Sequence, residues 1–164
     1  AEGAKGFVKL AEQIAEATPG AFLTRQFTND DNVAAHYMGT GPEIWAQTAG
    51  LVDVFIAGVG TGGTLIGAGR FLKEKKPTCH IVCLEAAESR VVAGKDEAVP
   101  VAHGLVGISA GIPLPLLDKE VQLKSASGSV NTIAADDMRY PGIIDEFAEV
   151  PSSKGVAMAK RLAE

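Results

Sequence analysis

Apolar residues recur at helical spacing near the start of the chain. Phe7, Leu10, Ala11, Ile14 and Ala15 fall at i, i+3, i+4, i+7 and i+8. That stripe predicts an amphipathic helix over residues 6–17, ended by "TPG" at 18–20. Residues 21–27, "AFLTRQF", predict a short strand. "TNDDN" at 28–32 offers N-cap candidates for a helix through Val33–Met38. "GTGP" at 39–42 interrupts or bends that helix, and "EIWAQ" resumes it. At residues 52–58 the pattern changes. "VDVFIAG" is a nearly continuous apolar run, as in a strand buried on both faces of a parallel sheet. A helix over 63–76 follows, with Leu65, Ala68 or Gly69, and Leu72 inward. Lys73, Lys75 and Lys76 complement the dipole at its C-terminal end, and Pro77 stops it. "HIVCLE" at 80–85 predicts a second buried strand. Strand, glycine turn, helix and strand make a βαβ unit, whose crossover is expected to be right-handed.

Beyond residue 86 the pattern weakens. Residues 103–118, "HGLVGISAGIPLPLLD", are punctuated by glycine and proline and predict mostly loop. Residues 119–142 are polar with little periodicity and predict an exposed loop. Residues 143–150 predict a strand, and Ser152 or Ser153 can cap a last helix through Val156, Ala159 and Leu162. The fold class is therefore α/β, a parallel sheet flanked by helices, within a single domain segment spanning 1–164. With 164 residues the chain is long enough for one core. Its net charge of −5 and lack of basic runs argue against a nucleic-acid partner. No apolar run approaches the ~18 residues of a membrane span. "AEGAKGFVKL" lacks the apolar block of a secretory signal. Cys79 and Cys83 read as buried reduced thiols, in keeping with a cytoplasmic setting. His36, His80 and His103 lack metal-ligand spacing, so no metal site is expected.

The chemistry concentrates in "GVGTGGTLIGAG" at 58–69, with six glycines in twelve residues. Gly67 and Gly69 lie inside the helix, where they permit close packing. Gly58, Gly60 and Gly63 fit the dinucleotide pattern G-x-G-x-x-G, with Glu85, 22 residues beyond Gly63, as the ribose acceptor of an NAD-binding Rossmann domain. That pattern needs neither Thr61 nor Thr64. "GTGGT" at 60–64 alternatively offers amides, two hydroxyls and a helix dipole to one phosphate dianion. "GISAG" at 107–111 matches a hydrolase nucleophile elbow around Ser109, but Pro113 and Pro115 oppose the helix such an elbow needs. His103 reads as a loop hydrogen-bonder, and Ile44 and Trp45 as core residues of a helix. Asp30, Asp31 and Asn32 resemble a metal cluster in composition only.

Several segments, taken in order, carry a resemblance to a known family. They are residues 25–77, opening "RQFTNDDNVAAHYMGTGPEIW" and running through the glycine loop, then "VCLEAAESRVV" (82–92) and "HGLVGISAGIPLPLLD" (103–118). "IIDEFAEVPSSKGVAMAKRLAE" (143–164) continues the likeness. The chain resembles the cysteine synthase (O-acetylserine sulfhydrylase) family of fold-type II pyridoxal-phosphate enzymes, whose fold is tryptophan synthase β-like. The resemblance implies part of the large, cofactor-binding domain. It implies that Gly60, Thr61, Gly62, Gly63 and Thr64 surround the phosphate of pyridoxal 5'-phosphate. It implies that Gln26 lies near the substrate carboxylate, and that Gly107 and Ile108 lie beside the cofactor ring and substrate. The implied reaction is β-replacement, in which O-acetylserine and sulfide give cysteine and acetate. The implied partners are a second copy in a homodimer and the C-terminal peptide of serine acetyltransferase.

The likeness has limits. No lysine stands in the family's Schiff-base context "SVKDR", since Lys5 lies in "GAKGF". The loops "SGNTG" and "SSGA" have no counterpart, so no catalytic residue is assigned, and the chain reads as an internal part of such an enzyme. Ser109 and Ile112 depart from the family's "GIGAGF", and Ala86 and Arg90 replace family prolines. A cystathionine β-synthase-like enzyme and a non-catalytic binding relic of the fold are the alternative readings.

Overall fold

A computed structural model describes residues 3–90, 92, 103–108, 114–118, 123–124, 130–131 and 142–164. Its centre is the predicted βαβ unit: β1 (Val54–Gly58), α4 (Gly63–Lys75) and β2 (His80–Ala86). Preceding it are α1 (Gly3–Ala17), α2 (Asp31–Ala35), a π-helical turn (His36–Thr40) and α3 (Gly41–Gln47). Following it are α5 (Pro115–Asp118), β3 (Leu123–Lys124), β4 (Val130–Asn131), β5 (Glu146–Val150) and α6 (Ser152–Ala163). The sheet runs β1-β2-β5 with every pairing parallel. Val54 pairs with His80 and Gly58 with Leu84, while Val82 pairs with Glu146 and Ala86 with Val150. β2, the central strand, carries the deepest burial, with Ile81 and Cys83 wholly inside.

α4 packs on this sheet and against α2, the π turn and α3. Glycine makes that approach close. A Cβ at Gly67 would stand on the Val33 carbonyl oxygen, and one at Gly69 would stand 3.1 Å from Ile143. Tyr37 secures the π turn to α4 by donating to Glu74 at 2.6 Å, with the Arg70 guanidinium 5.5 Å over its ring.

The structure departs from the sequence reading in five places. "AFLTRQF" forms no strand. It leads into a turn at Gln26–Thr28, where Arg25 adopts a left-handed φ of 49° and its carbonyl accepts from the amides of Thr28 and Asn29. "GTGP" does not interrupt the helix. Instead the helix widens, the Gly41 amide reaching back to the His36 carbonyl. A wider turn relieves the crowding that Pro42 would impose on a regular α-helix. β1 is covered on one face only, with Val54 and Ile56 exposed. The apolar stripe of α1 is likewise open, with Phe7 76% exposed. Finally, neither serine caps α6. Pro151 is its N-cap, and the amide and hydroxyl of Ser152 donate to the Glu88 carboxylate. That carboxylate is held below its ordinary value by the two Ser152 bonds.

At the other end of β5, Asp145 joins three elements. It accepts from the Ile81 amide at 2.7 Å and from Lys73 of α4 at 2.7 Å, with His80 Nδ1 4.0 Å away. Partial burial opposes its ionisation, but the Lys73 and Ile81 bonds and the neighbouring charges outweigh it. The carboxyl therefore sits below its ordinary value of 3.8. A depressed folded pKa contributes stability that is fully present above the ordinary value and is lost as pH falls through the folded one. Acid unfolding followed by circular dichroism below about pH 4 is expected to be shallower in Asp145→Asn than in the unsubstituted protein. Parallel curves would show that the carboxylate contributes nothing.

The predicted loop at 119–142 lies largely outside the described residues. Within it, Leu123 pairs with Asn131 and Lys124 with Val130 in an antiparallel ladder.

Candidate phosphate-binding site

β1 ends at Gly58, and the chain crosses to α4 through "VGTG". Val59 is wholly buried and its amide donates to the Leu84 carbonyl at 3.1 Å, so the loop starts from a fixed point. Gly62 takes a left-handed φ of 92° as the N-cap of α4, and its carbonyl accepts the Ile66 amide. The left-handed conformation favours glycine there, and a Cβ would also press on the Leu117 side chain, 2.8 Å from its Cδ2. The amides of the first helical turn have no partner within the helix and point out of its N-terminal end, at the positive pole of the dipole. Residues 58–64 contain no lysine or arginine. An anion held by these residues would therefore meet backbone amides and hydroxyls rather than a charged side chain.

The two threonines are held from behind. Thr61 Oγ1 accepts from Asn32 Nδ2 at 2.9 Å and from the Gly63 amide at 3.3 Å. Thr64 Oγ1 meets His36 Nε2 at 3.0 Å, and His36 Nδ1 meets Thr40 Oγ1 at 2.8 Å. Gly63 lies against the Asn32 carboxamide so closely that a Cβ would overlap it.

The structure gathers the predicted site residues around this loop. Gln26 lies exposed in the turn that Asn32 grips, its carbonyl accepting from Asn32 Nδ2 at 2.8 Å. Gly107, with φ of 93°, abuts the loop from the other side. A Cβ at Gly60 would stand 2.6 Å from its carbonyl oxygen. Ile108 packs on the end of β1, 2.9 Å from where a Gly58 side chain would begin. The sequence pattern does not mark Asn32 or His36 as a site residue. Asn32 belongs to a run that reads as helix caps, and its two acceptors lie 6 and 29 residues away. His36 carried one usable signal, a hydroxyl at i+4 on the same helical face.

Rival constellations fare worse. Glu85 is wholly buried and accepts the Val92 amide at 2.8 Å, so it is not presented to a ribose. Residues 103–108 contain no strand to lead into a nucleophile elbow, and Ser109 and Ile112 lie outside the described residues. His103 accepts the Leu105 amide through Nδ1, as a loop hydrogen-bonder does. No metal-binding group occurs among the described residues. Cys79 and Cys83 are free and buried. Burial first, and the Glu85 charge second, push the Cys83 thiol up to about 12. No helix among the described residues is long and apolar enough to cross a membrane.

Residues 2–164 match the family model described as pyridoxal-phosphate dependent enzyme. The chain belongs to this family. Cysteine synthase A of Escherichia coli K12 is 39% identical over 175 residues, covering all of this chain and 53% of that protein. Cysteine synthase 3 of Caenorhabditis elegans is 35% identical over 164 residues, covering all of this chain and 41% of that protein. The crystal structure of an O-acetylserine dependent cystathionine β-synthase from Helicobacter pylori superposes with a TM-score of 0.75 at 28% identity. That match covers 99% of this chain and 44% of the other. The chain thus spans about half the length of the curated relatives it matches. The pyridoxal-phosphate family's fold is consistent with the parallel sheet and flanking helices described above.

The donor set suits that cofactor's phosphate. Both acceptor sites of the Thr61 hydroxyl are already engaged, which leaves its proton for an acceptor outside. A phosphate dianion accepts and does not donate, and helix N-termini favour such groups.

Proposed function

We propose that this chain supplies the phosphate-binding part of the cofactor domain in a cysteine synthase-type β-replacement enzyme, which converts O-acetylserine and sulfide to cysteine and acetate. The observation that carries the reading is the "GTGGT" cup, with its left-handed Gly62 at the N-terminus of α4 and two threonines held from behind. The cysteine synthase relatives at 35% and 39% identity support the reaction class. The Helicobacter protein, named as O-acetylserine dependent, supports the substrate.

In this reading the loop amides at residues 60–64 other than Gly63, whose amide donates to Thr61, join the hydroxyls of Thr61 and Thr64 in holding the phosphate of pyridoxal 5'-phosphate. The bound cofactor supplies an electron sink for the substrate's α-carbon. Gln26, on the turn beside the cup, meets the substrate carboxylate through its side-chain amide. Gly107 and Ile108 wall the cofactor ring and substrate. Gly107 takes a φ of 93° that favours glycine, and its carbonyl oxygen faces Gly60 of the cup. Fixing the phosphate end fixes the ring's tilt, and small errors in alignment are costly to rate. A cytoplasmic homodimer that binds the C-terminal peptide of serine acetyltransferase completes the proposal.

The test uses the complete protein loaded with pyridoxal phosphate, assayed for cysteine formation from O-acetylserine and sulfide. Cysteine is the expected product, and Thr61→Ala is expected to weaken cofactor retention about tenfold, the value of one hydrogen bond to a charged group. With homocysteine supplied in competition with sulfide, cystathionine as the main product would move the protein to the synthase of that name. Cofactor binding without turnover would support the binding relic. Unchanged retention in Thr61→Ala would remove the phosphate role from the loop.

A further inference from the structure

The geometry points to Asn32 as a positioning residue that couples the substrate-side turn to the phosphate cup and sets the hydrogen-bond direction of Thr61. The inference rests on the function proposed above and adds to it a residue that touches neither cofactor nor substrate.

Three contacts determine what Asn32 does. The Gln26 carbonyl oxygen can only accept, so the Asn32 atom 2.8 Å from it is the amide nitrogen. The same nitrogen lies 2.9 Å from Thr61 Oγ1, so the threonine oxygen must accept as well. The Gly63 amide donates to that oxygen at 3.3 Å. With both acceptor positions used, the Thr61 proton is directed away from Asn32, toward whatever occupies the cup. Asn32 thereby turns a hydroxyl of either polarity into a donor, which suits an anion. Its second bond holds the carbonyl of Gln26, so one carboxamide spans the turn before α2 and the loop before α4. Gly63 completes the arrangement, because any side chain there would displace the carboxamide.

The experiment compares the complete protein with its Asn32→Ala and Asn32→Asp variants, and Asn32→Ala with Thr61→Ala and the double variant. Equilibrium binding of pyridoxal phosphate and of pyridoxal, which lacks the phosphate, separates phosphate affinity from ring affinity. In Asn32→Ala, pyridoxal phosphate is expected to bind about tenfold more weakly, with pyridoxal binding unchanged. Adding Thr61→Ala is expected to cause little further loss, because the two act through one contact. KM for O-acetylserine is expected to rise in Asn32→Ala, through the Gln26 turn, but not in Thr61→Ala.

Asn32→Asp keeps the size of the side chain, and it carries the test should the alanine variant fail to fold. Its carboxylate can only accept, so it draws the Thr61 proton inward. Phosphate affinity is expected to fall further than in Asn32→Ala and to recover as pH drops and the introduced carboxyl protonates. The profile is read relative to the unsubstituted protein, which cancels the titration of His36, Asp30 and Asp31 nearby. Equal losses for pyridoxal and its phosphate, additive losses with Thr61→Ala, or a pH-independent deficit in Asn32→Asp would each overturn the assignment. An unsubstituted protein with no preference for pyridoxal phosphate over pyridoxal would overturn the proposed function itself, and the assignment with it.

Discussion

Gly67→Ala is expected to destabilise the protein by about 1–3 kcal/mol, although alanine is the better helix former by roughly 0.5–1 kcal/mol. Gly67 lies mid-helix in α4 and is buried. A Cβ there would stand on the Val33 carbonyl oxygen, 2.8 Å from His36 Cβ and 2.9 Å from the Tyr37 amide nitrogen. Two of these neighbours are backbone atoms, so no rotamer change removes the overlap, and α2 and the π turn must move away from α4. That movement would also lengthen the 3.0 Å contact between His36 and Thr64. Weaker retention of pyridoxal phosphate is therefore expected beside the lower stability. Urea unfolding of the two proteins, with the slope compared to detect changes in the denatured state, decides the sign. A more stable alanine variant would mean that the helices do not pack at this distance.

Leu72→Ala is expected to cost more, about 2–5 kcal/mol. Leu72 is wholly buried, one of the largest side chains in the core shared by α4 and the sheet. Truncation removes the transfer free energy of the lost atoms and leaves a cavity that close-packed neighbours fill only partly. Against the ~5–15 kcal/mol that stabilises an ordinary domain, this is a large share. Leu72 is also remote from the "GTGGT" loop in sequence, at the other end of the helix. Cofactor affinity per folded molecule is thus expected to stay within about twofold, since distant sites combine additively. A loss below about 1 kcal/mol would show that the α4 core repacks freely, and a large fall in affinity would show that the two ends of α4 are coupled.

Much of this architecture was legible in the chain. The change from helical spacing to an unbroken apolar run at 52–58, the glycine turn and the second run at 80–85 marked the βαβ unit. Pro77 and the lysines before it marked the end of α4, and "EFAEV" was legible as a strand. The glycine loop was legible as a turn into a helix N-terminus, and as a candidate anion site because "GTGGT" holds amides, hydroxyls and a helix start locally. What failed depended on non-local partners. "AFLTRQF" has the composition of a strand but pairs with no strand among the described residues. Ser152 has the identity of a cap, yet its hydroxyl found the Glu88 carboxylate from another loop at 2.8 Å.

The sequence alone thus determined the elements whose signals are local in the chain: the periodicity of α4, the apolar strands beside it, and a loop with free amides before a helix. It also determined the family, because ordered motifs over 25–164 match more specifically than any one of them. Only the tertiary structure decided which side chains stand behind that loop. Asn32 and His36 reach Thr61 and Thr64 across 29 and 28 residues of chain. No spacing rule links such positions. Their meeting depends on the close seating of α2 and the π turn on α4, which Gly63 and Gly67 permit by having no side chain.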